Sequence, residues 1–174
     1  MKIVAIATSV LLLSVGLAAQ GSPAKAKAKS AITATLGNLS CSTSAGTDTF
    51  DVQSWSWGAS NPVDLIGGGG GGAGKVSVSD LSVMKGFDAC SPALFGAVAT
   101  GKAFPTLTLT QSNHDGAATT VTLTDVRVSS WQAGGSLATE SATESVSFTF
   151  SKVCLADGTS GAKFCYDIKA GKVF

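Results

Sequence analysis

Trp55-Ser56-Trp57-Gly58-Ala59-Ser60 lies near the start of the stretch that decides the fold, which runs from Val52 to Lys102. A six-glycine run, Gly67–Gly72, follows, then Ala73-Gly74-Lys75-Val76-Ser77-Val78-Ser79-Asp80-Leu81-Ser82-Val83. Phe50 and Val52 alternate with polar neighbours, but the next apolar residues, Trp55 and Trp57, are out of phase with them. The same slip separates Val76 and Val78 from Leu81 and Val83, and Val121 and Leu123 from Val126 and Val128. In a strand a one-residue slip moves every later side chain to the other face unless the chain bulges or bends there. Repeated slips suit a small closed barrel, whose strands must coil and turn corners; a flat sandwich would alternate more cleanly.

Working outward, Ile32, Ala34 and Leu36 alternate with Thr33 and Thr35 and predict a first strand with one buried face. Further strands are expected at Thr106–Thr110, Ser145–Phe150 and Lys163–Ile168, with Asn113-His114-Asp115-Gly116 as a hairpin turn before Val121. Ala133-Gly134-Gly135 to Thr143 reads as a polar loop. One helix stands out: Ser91 as N-cap, Pro92 at the first helical position, Leu94, Phe95 and Val98 on one face, and Gly101 as the C-terminal cap. The fold class is therefore mainly β: a small closed barrel of about eight strands with one short lateral α-helix.

At 174 residues the chain suits one domain with a real core. Only 13% of it is charged and the net charge is +1, which gives no electrostatic case for nucleic acid or an anionic membrane as partner. Lys2 followed by the apolar run Ile3–Leu17 and small residues up to Gly21 predicts a cleavable signal peptide over 1–21. The run is short for a membrane anchor. Residues 22–30, Ser-Pro-Ala-Lys-Ala-Lys-Ala-Lys-Ser, then form a flexible leader, read as a solvated linker with a surface-binding arm as the alternative, and 31–174 forms the barrel domain. The mature protein is expected to be secreted or periplasmic. Its four cysteines, Cys41, Cys90, Cys154 and Cys165, then suggest two disulfides out of three possible pairings. Cys154–Cys165 is favoured because the pair flanks the turn Ala156–Gly161, which leaves Cys41–Cys90.

Candidate chemistry is thin. Gly69 to Lys75 fits the spacing of a phosphate-binding loop, but Val76 stands where the magnesium-holding hydroxyl belongs, and a strand rather than a helix follows. His114, the only histidine, sits in a turn without a strained nucleophile turn elsewhere to serve. The single histidine and the lack of a C-x-x-C pair argue against zinc. The acids are scattered, and Trp55 and Trp57 read as core or subunit contact rather than a sugar platform. No catalytic, metal or cofactor-binding residue is assigned.

The ordered pieces Trp57-Gly58, Gly74-Lys75, Asp80-Leu81, Asp88, Ser91-Pro92, Leu94, Gly101-Lys102, the run Thr122–Trp131 containing Asp125, the strand Ser145–Val153, and Tyr166-Asp167-Ile168-Lys169 together resemble the haemolysin-coregulated protein (Hcp) family of type VI secretion tube proteins. The resemblance spans roughly Ala31 to Phe174. It implies a non-enzymatic barrel protomer with a lateral helix, closing six-fold into rings that stack into a hollow tube, with effector or tip proteins as partners and no cofactor. A closing ring needs a heterologous interface; the loops around Gly67–Gly72 and Gly134-Gly135 are the candidate ring contacts. The predicted signal and the four cysteines depart from the family pattern. The alternatives are a monomeric secreted binding module on the same barrel and a small secreted enzyme.

Overall fold

The computed structural model describes residues 32–62, 75–112, 117–137 and 141–174. In chain order the elements are β1 (Ile32–Leu36), β2 (Ser42–Thr43), β3 (Gly46–Thr47), β4 (Thr49–Asp51), β5 (Ser54–Ser56), β6 (Ala59–Ser60), β7 (Ser77–Val78), β8 (Leu81–Gly86), α1 (Ser91–Thr100), β9 (Ala103–Ser112), β10 (Ala118–Gly134), β11 (Thr143–Thr149), β12 (Lys152–Asp157), β13 (Lys163–Asp167) and β14 (Lys172–Val173).

The short strands are segments of longer bent ones. β4 pairs with β1, while β5, two residues on, pairs with β8. The exchange happens at the predicted phase slip: Val52 N–H donates to Ile32 C=O and Gln53 N–H donates to Met84 C=O. β8 pairs with β11, β11 with β10, β10 with β9, and β9 with β1. With β4 and β5 taken as one bent strand, these ladders close a circuit around the core. β11 and β12 likewise form one bent strand along the whole of β10. β13 hangs on β12, and β14 on β13, outside the circuit.

The other slips are also breaks in the wall. Ser79-Asp80 separates β7 from β8, and Asp125 takes a left-handed φ of 54° inside β10. A further register shift falls between Val128 and Ser130. Inside the wall pack Ala34, Leu36, Phe50, Leu81, Val83, Leu107, Leu109, Val121, Leu123, Val126, Val146 and Phe148. These are the inward positions that the alternation predicts.

Helix α1 differs from its sequence reading in two ways. Its N-cap is Cys90, without a side-chain capping bond, so Ser91 is the first helical residue and Pro92 the second. Ser91 cannot cap because its hydroxyl is buried and engaged beneath the helix. Leu94 and Ala97 are buried, whereas Phe95 is 54% exposed and lies over Trp131, ring centroids 5.2 Å apart. Gly101 does close the helix, at φ 64°, with Lys102 N–H donating to Ala97 C=O. Gly134 is not in a loop: it ends β10, paired with Thr143, and the connection begins at Gly135. The signal peptide over 1–21, the leader, His114, Gly67–Gly72 and Gly74 lie outside the described residues.

Candidate assembly surfaces

The most demanding cluster in the molecule lies between β8, β11 and α1. Lys85 and Glu144 face each other across the β8–β11 ladder, both on the inward face, with Nζ 2.6 Å from Oε1 and both side chains wholly buried. Burying two charges costs several kcal/mol each unless they are paired and hydrogen-bonded. Here they are. Lys85 also donates to Gly86 C=O at 2.9 Å and Ser91 Oγ at 3.3 Å, and pairs with Asp88 at 2.9 Å. Glu144 accepts from Ser91 Oγ at 2.9 Å and, through Oε2, from Trp131 Nε1 at 2.9 Å. Asp88 in turn accepts from Cys90 N–H and donates its own N–H to Ser91 Oγ. The network welds the start of α1 to the barrel wall and fixes Trp131, on which exposed Phe95 rests. Its centre, Lys85, Ser91 and Glu144, is closed to solvent and satisfied by its neighbours, which suits scaffolding rather than reaction.

The residues singled out by family resemblance take up structural posts. Trp57 and Gly58 form the link between β5 and β6; Gly58 C=O accepts from Ser79 N–H, and Ser79 Oγ bonds back to both ends of Gly58. Asp80 accepts from Ser129 Oγ across the barrel wall. Asp125, at its left-handed position within β10, accepts from Ser151 Oγ at 2.6 Å. Leu94 is wholly buried under the helix, and Lys102 reaches Asn38 C=O at 2.7 Å. Asp167 caps the turn before β14, accepting Ala170 N–H at 2.7 Å; that bond, aided by the charge of Lys152, lowers its pKa. Lys75 is exposed just before β7, where a strand follows and not the helix of a phosphate-binding loop.

Both cysteine pairs are bonded. Cys154 and Cys165 are direct cross-strand partners on β12 and β13, and Cys41, in the loop after β1, joins buried Cys90 at the helix cap. Among the described residues no group of three or more His, Cys, Asp or Glu is placed to hold a metal ion, and no helix is long and apolar enough to cross a membrane.

At one end of the barrel a cavity of about 480 Å³ is walled by Trp55, Trp57, Thr119, Val121, Leu155 and Phe164. A second, of about 360 Å³, continues past Trp57 between β6–β7 and β12–β13. Trp55 Nε1 donates to Gln111 Oε1 at 2.9 Å, whereas Trp57 Nε1 is buried without a partner among the described residues.

With this geometry, residues 31–156 match the family model described as "Type VI secretion system effector, Hcp". The chain belongs to the Hcp family. None of the curated proteins matches it. Among solved structures, Hcp1 from Salmonella typhimurium is 27% identical, covering 82% of this chain and 97% of its own at TM-score 0.69. A structure titled as a type six secretion system protein is 24% identical at TM-score 0.72, covering 82% of this chain and 98% of its own. A type VI secretion system effector from Yersinia pestis is 21% identical at TM-score 0.62, covering 78% and 98%. The last two speak to the fold alone. Hcp proteins are secreted structural proteins of type VI systems and not a family of enzymes.

The sequence reading missed Lys85 as a functional position and treated Glu144 as one scattered acid. A signal was available. Lys85 follows Leu81 and Val83 in inward phase, and Glu144 precedes Val146 and Phe148 in inward phase. Opposite charges at core positions of two strands are a reason to look for a pair.

Proposed function

We propose that this Hcp-family chain is exported through a signal peptide in residues 1–21, leaves a leader over 22–30, and assembles through the 31–174 unit into hexameric rings that stack into a hollow tube. The observation that carries the reading is the family match over residues 31–156. The surface agrees with self-association. Phe95 rests on Trp131 beside the helix, and Phe87, just before it, is 48% exposed. Large apolar side chains left in solvent favour a subunit contact. The lateral face around α1 supplies one half of a closing heterologous interface, and the segment Gly67–Gly72 and the β10 end at Gly134 with the following Gly135 are the candidate stacking contacts.

Effector or tip proteins ride on or in such a tube. A net charge of +1 offers nothing to nucleic acid or to an anionic membrane after signal cleavage. Electron microscopy of the purified oxidised chain, beside its mass by light scattering, tests the assembly. Rings or stacked tubes at about six protomer masses are expected. A monomer at high concentration overturns ring formation and leaves a monomeric secreted binding module.

A further inference from the structure

Two apolar faces stand opposite each other across the cavity of about 360 Å³. One belongs to the β12–β13 hairpin. Val153 is paired there with Tyr166 and Leu155 with Phe164, and the ladder to β10 puts Val153 and Leu155 opposite the buried Leu123 and Val121. The other belongs to the β6–β7 ribbon. Ala59 is paired there with Val78, and Trp57 and Val76 stand two residues before them. Protein interiors leave few voids larger than a water molecule. An engineered cavity of about 150 Å³ already holds benzene. We propose that this gap binds a small, uncharged aromatic molecule, about the size of two fused rings, that carries one hydrogen-bond acceptor for Trp57 Nε1.

Three observations carry this. The first is wall chemistry. None of the described residues that wall the gap is charged; Asp157 and Lys163 line the neighbouring cavity and not this one. A charged ligand would lose its hydration here and find no counter-ion among these walls. The second is the rings. Trp57, Phe164 and Tyr166 offer aromatic faces and edges to a planar guest. Phe164 is 55% exposed, so it stands at the mouth. Trp57 is held in place by Phe150, ring centroids 6.3 Å apart, and by the bonds of Gly58 to Ser79.

The third is the orphaned donor. Trp57 Nε1 is buried without a partner among the described residues. A buried donor calls for an acceptor. Water fills such a role where it meets two to four polar partners, and the side chains of this wall offer few. The Tyr166 hydroxyl lies toward the turn at Gly171, 3.9 Å from where a Cβ would stand there. A carbonyl oxygen on an apolar body satisfies the indole and fills the gap together.

The proposal holds for a single protomer and does not rest on ring formation, which light scattering of the same samples reads separately. Its test is NMR of the oxidised chain during titration with acetonaphthone, ethylnaphthalene or naphthoate. Acetonaphthone is expected to move the Trp57 indole N–H resonance saturably and to slow its exchange, while core amides of β9 and β10 stay in place. Naphthoate should bind at least about tenfold more weakly. Trp57→Phe removes the donor. Read at the Leu155 methyl groups, it should cut the preference for acetonaphthone over ethylnaphthalene about three- to tenfold, the worth of one hydrogen bond. Ala59→Trp fills the gap and should abolish binding of all three probes. No saturable shift with acetonaphthone overturns the proposal. So does naphthoate binding as tightly, an unchanged preference in Trp57→Phe, or binding retained in Ala59→Trp. Movement of the indole signal with protein concentration alone, in step with mass, overturns it too, by showing that a second copy fills the gap.

Discussion

Replacing Lys85 by methionine is the sharpest perturbation of this fold. Lys85 and Glu144 are both wholly buried, 2.6 Å apart, so the substitution strands a carboxylate inside the barrel wall. Two of its donors survive, Ser91 Oγ and Trp131 Nε1, but the cation does not. Breaking a buried pair from one side costs about 3–5 kcal/mol, because the remaining charge is left uncompensated. Removing both charges together, with Lys85→Met and Glu144→Gln, is expected to cost far less than the sum of the single changes, since well-packed neutral replacements are often close to neutral. Urea unfolding of the four chains in the double-mutant cycle measures this. With a slope of about 1–3 kcal/mol per molar urea, Lys85→Met should lower the midpoint by at least about 1 M. The near-ultraviolet signal of Trp131 should weaken with it, as Glu144 loses its fixed position. A loss below about 1 kcal/mol for Lys85→Met, or a double mutant equal to the sum of the singles, would refute the claim that this pair welds α1 to the wall.

Other expectations follow from the same structure. The disulfides close spans of 11 and 49 residues, so chain entropy predicts losses of about 3 kcal/mol for Cys154→Ala/Cys165→Ala and about 4 kcal/mol for Cys41→Ala/Cys90→Ala in denaturant melts. Gly158→Ala would put a methyl 2.7 Å from Ala118 C=O, so a thermal melt should report a loss of about 1–3 kcal/mol; no change would mean the turn is displaced from this position. Gly101→Ala forces a side chain into the left-handed cap at φ 64° and should cost about 1–2 kcal/mol by the same assay. Asp157, bonded first by the Ser160 side chain and then by backbone N–H groups, and Asp167, bonded first by Ala170 N–H, both have lowered pKa values. Each contributes stability that is full above the ordinary aspartate range and is lost as pH falls through the lowered folded-state value. Acid titration of stability in Asp157→Asn and Asp167→Asn should therefore show a shallower acid limb than the parent chain.

The barrel was legible because its decisive feature, the phase slip, is written in residue order. Val52 and Trp55 cannot lie on one face of a straight strand, and the structure turns the chain from one neighbour to another between them. The helix was legible from Pro92 and Gly101, but its cap was not. Whether Ser91 caps or enters the helix depends on Glu144, 53 residues away, which takes its hydroxyl. No local pattern carries that information. Gly134 was misread for a related reason: glycines signal a turn locally, yet pairing with Thr143 extends β10 through the first of them. Helical spacing groups Phe95 on one face with Leu94 and Val98, and only the position of Trp131 shows which side of that stripe meets solvent. The proposed assembly surface is the least legible of all, since any neighbours that would define it lie outside this sequence.

The two disulfides make sense against the closed circuit of strands. The circuit holds β1, the β4–β5 strand, β8, β11, β10 and β9 by ladders on both sides. Helix α1 and the β13–β14 pair are among the elements outside it. Helix α1 packs on the wall by one face, and β13 with β14 hangs from β12 by one ladder. Each disulfide fastens one of these: Cys41–Cys90 ties the helix cap to the loop after β1, and Cys154–Cys165 ties β13 to β12. The second bond reaches beyond residue 156, where the family match ends, to β13. In a packed tube, neighbouring subunits can brace peripheral elements. A subunit that travels alone through an oxidising compartment has no such neighbours and must carry its own fastenings. Each bond ties an element outside the circuit back to the barrel, which agrees with the proposed export of the protomer before assembly. If that order is right, reduction should free the β13–β14 flap and the start of α1 in the monomer first, and should matter less once rings have formed. Amide exchange of β13 in reduced monomer and reduced ring separates the two; equal protection in both would show that subunit contacts do not replace the disulfide.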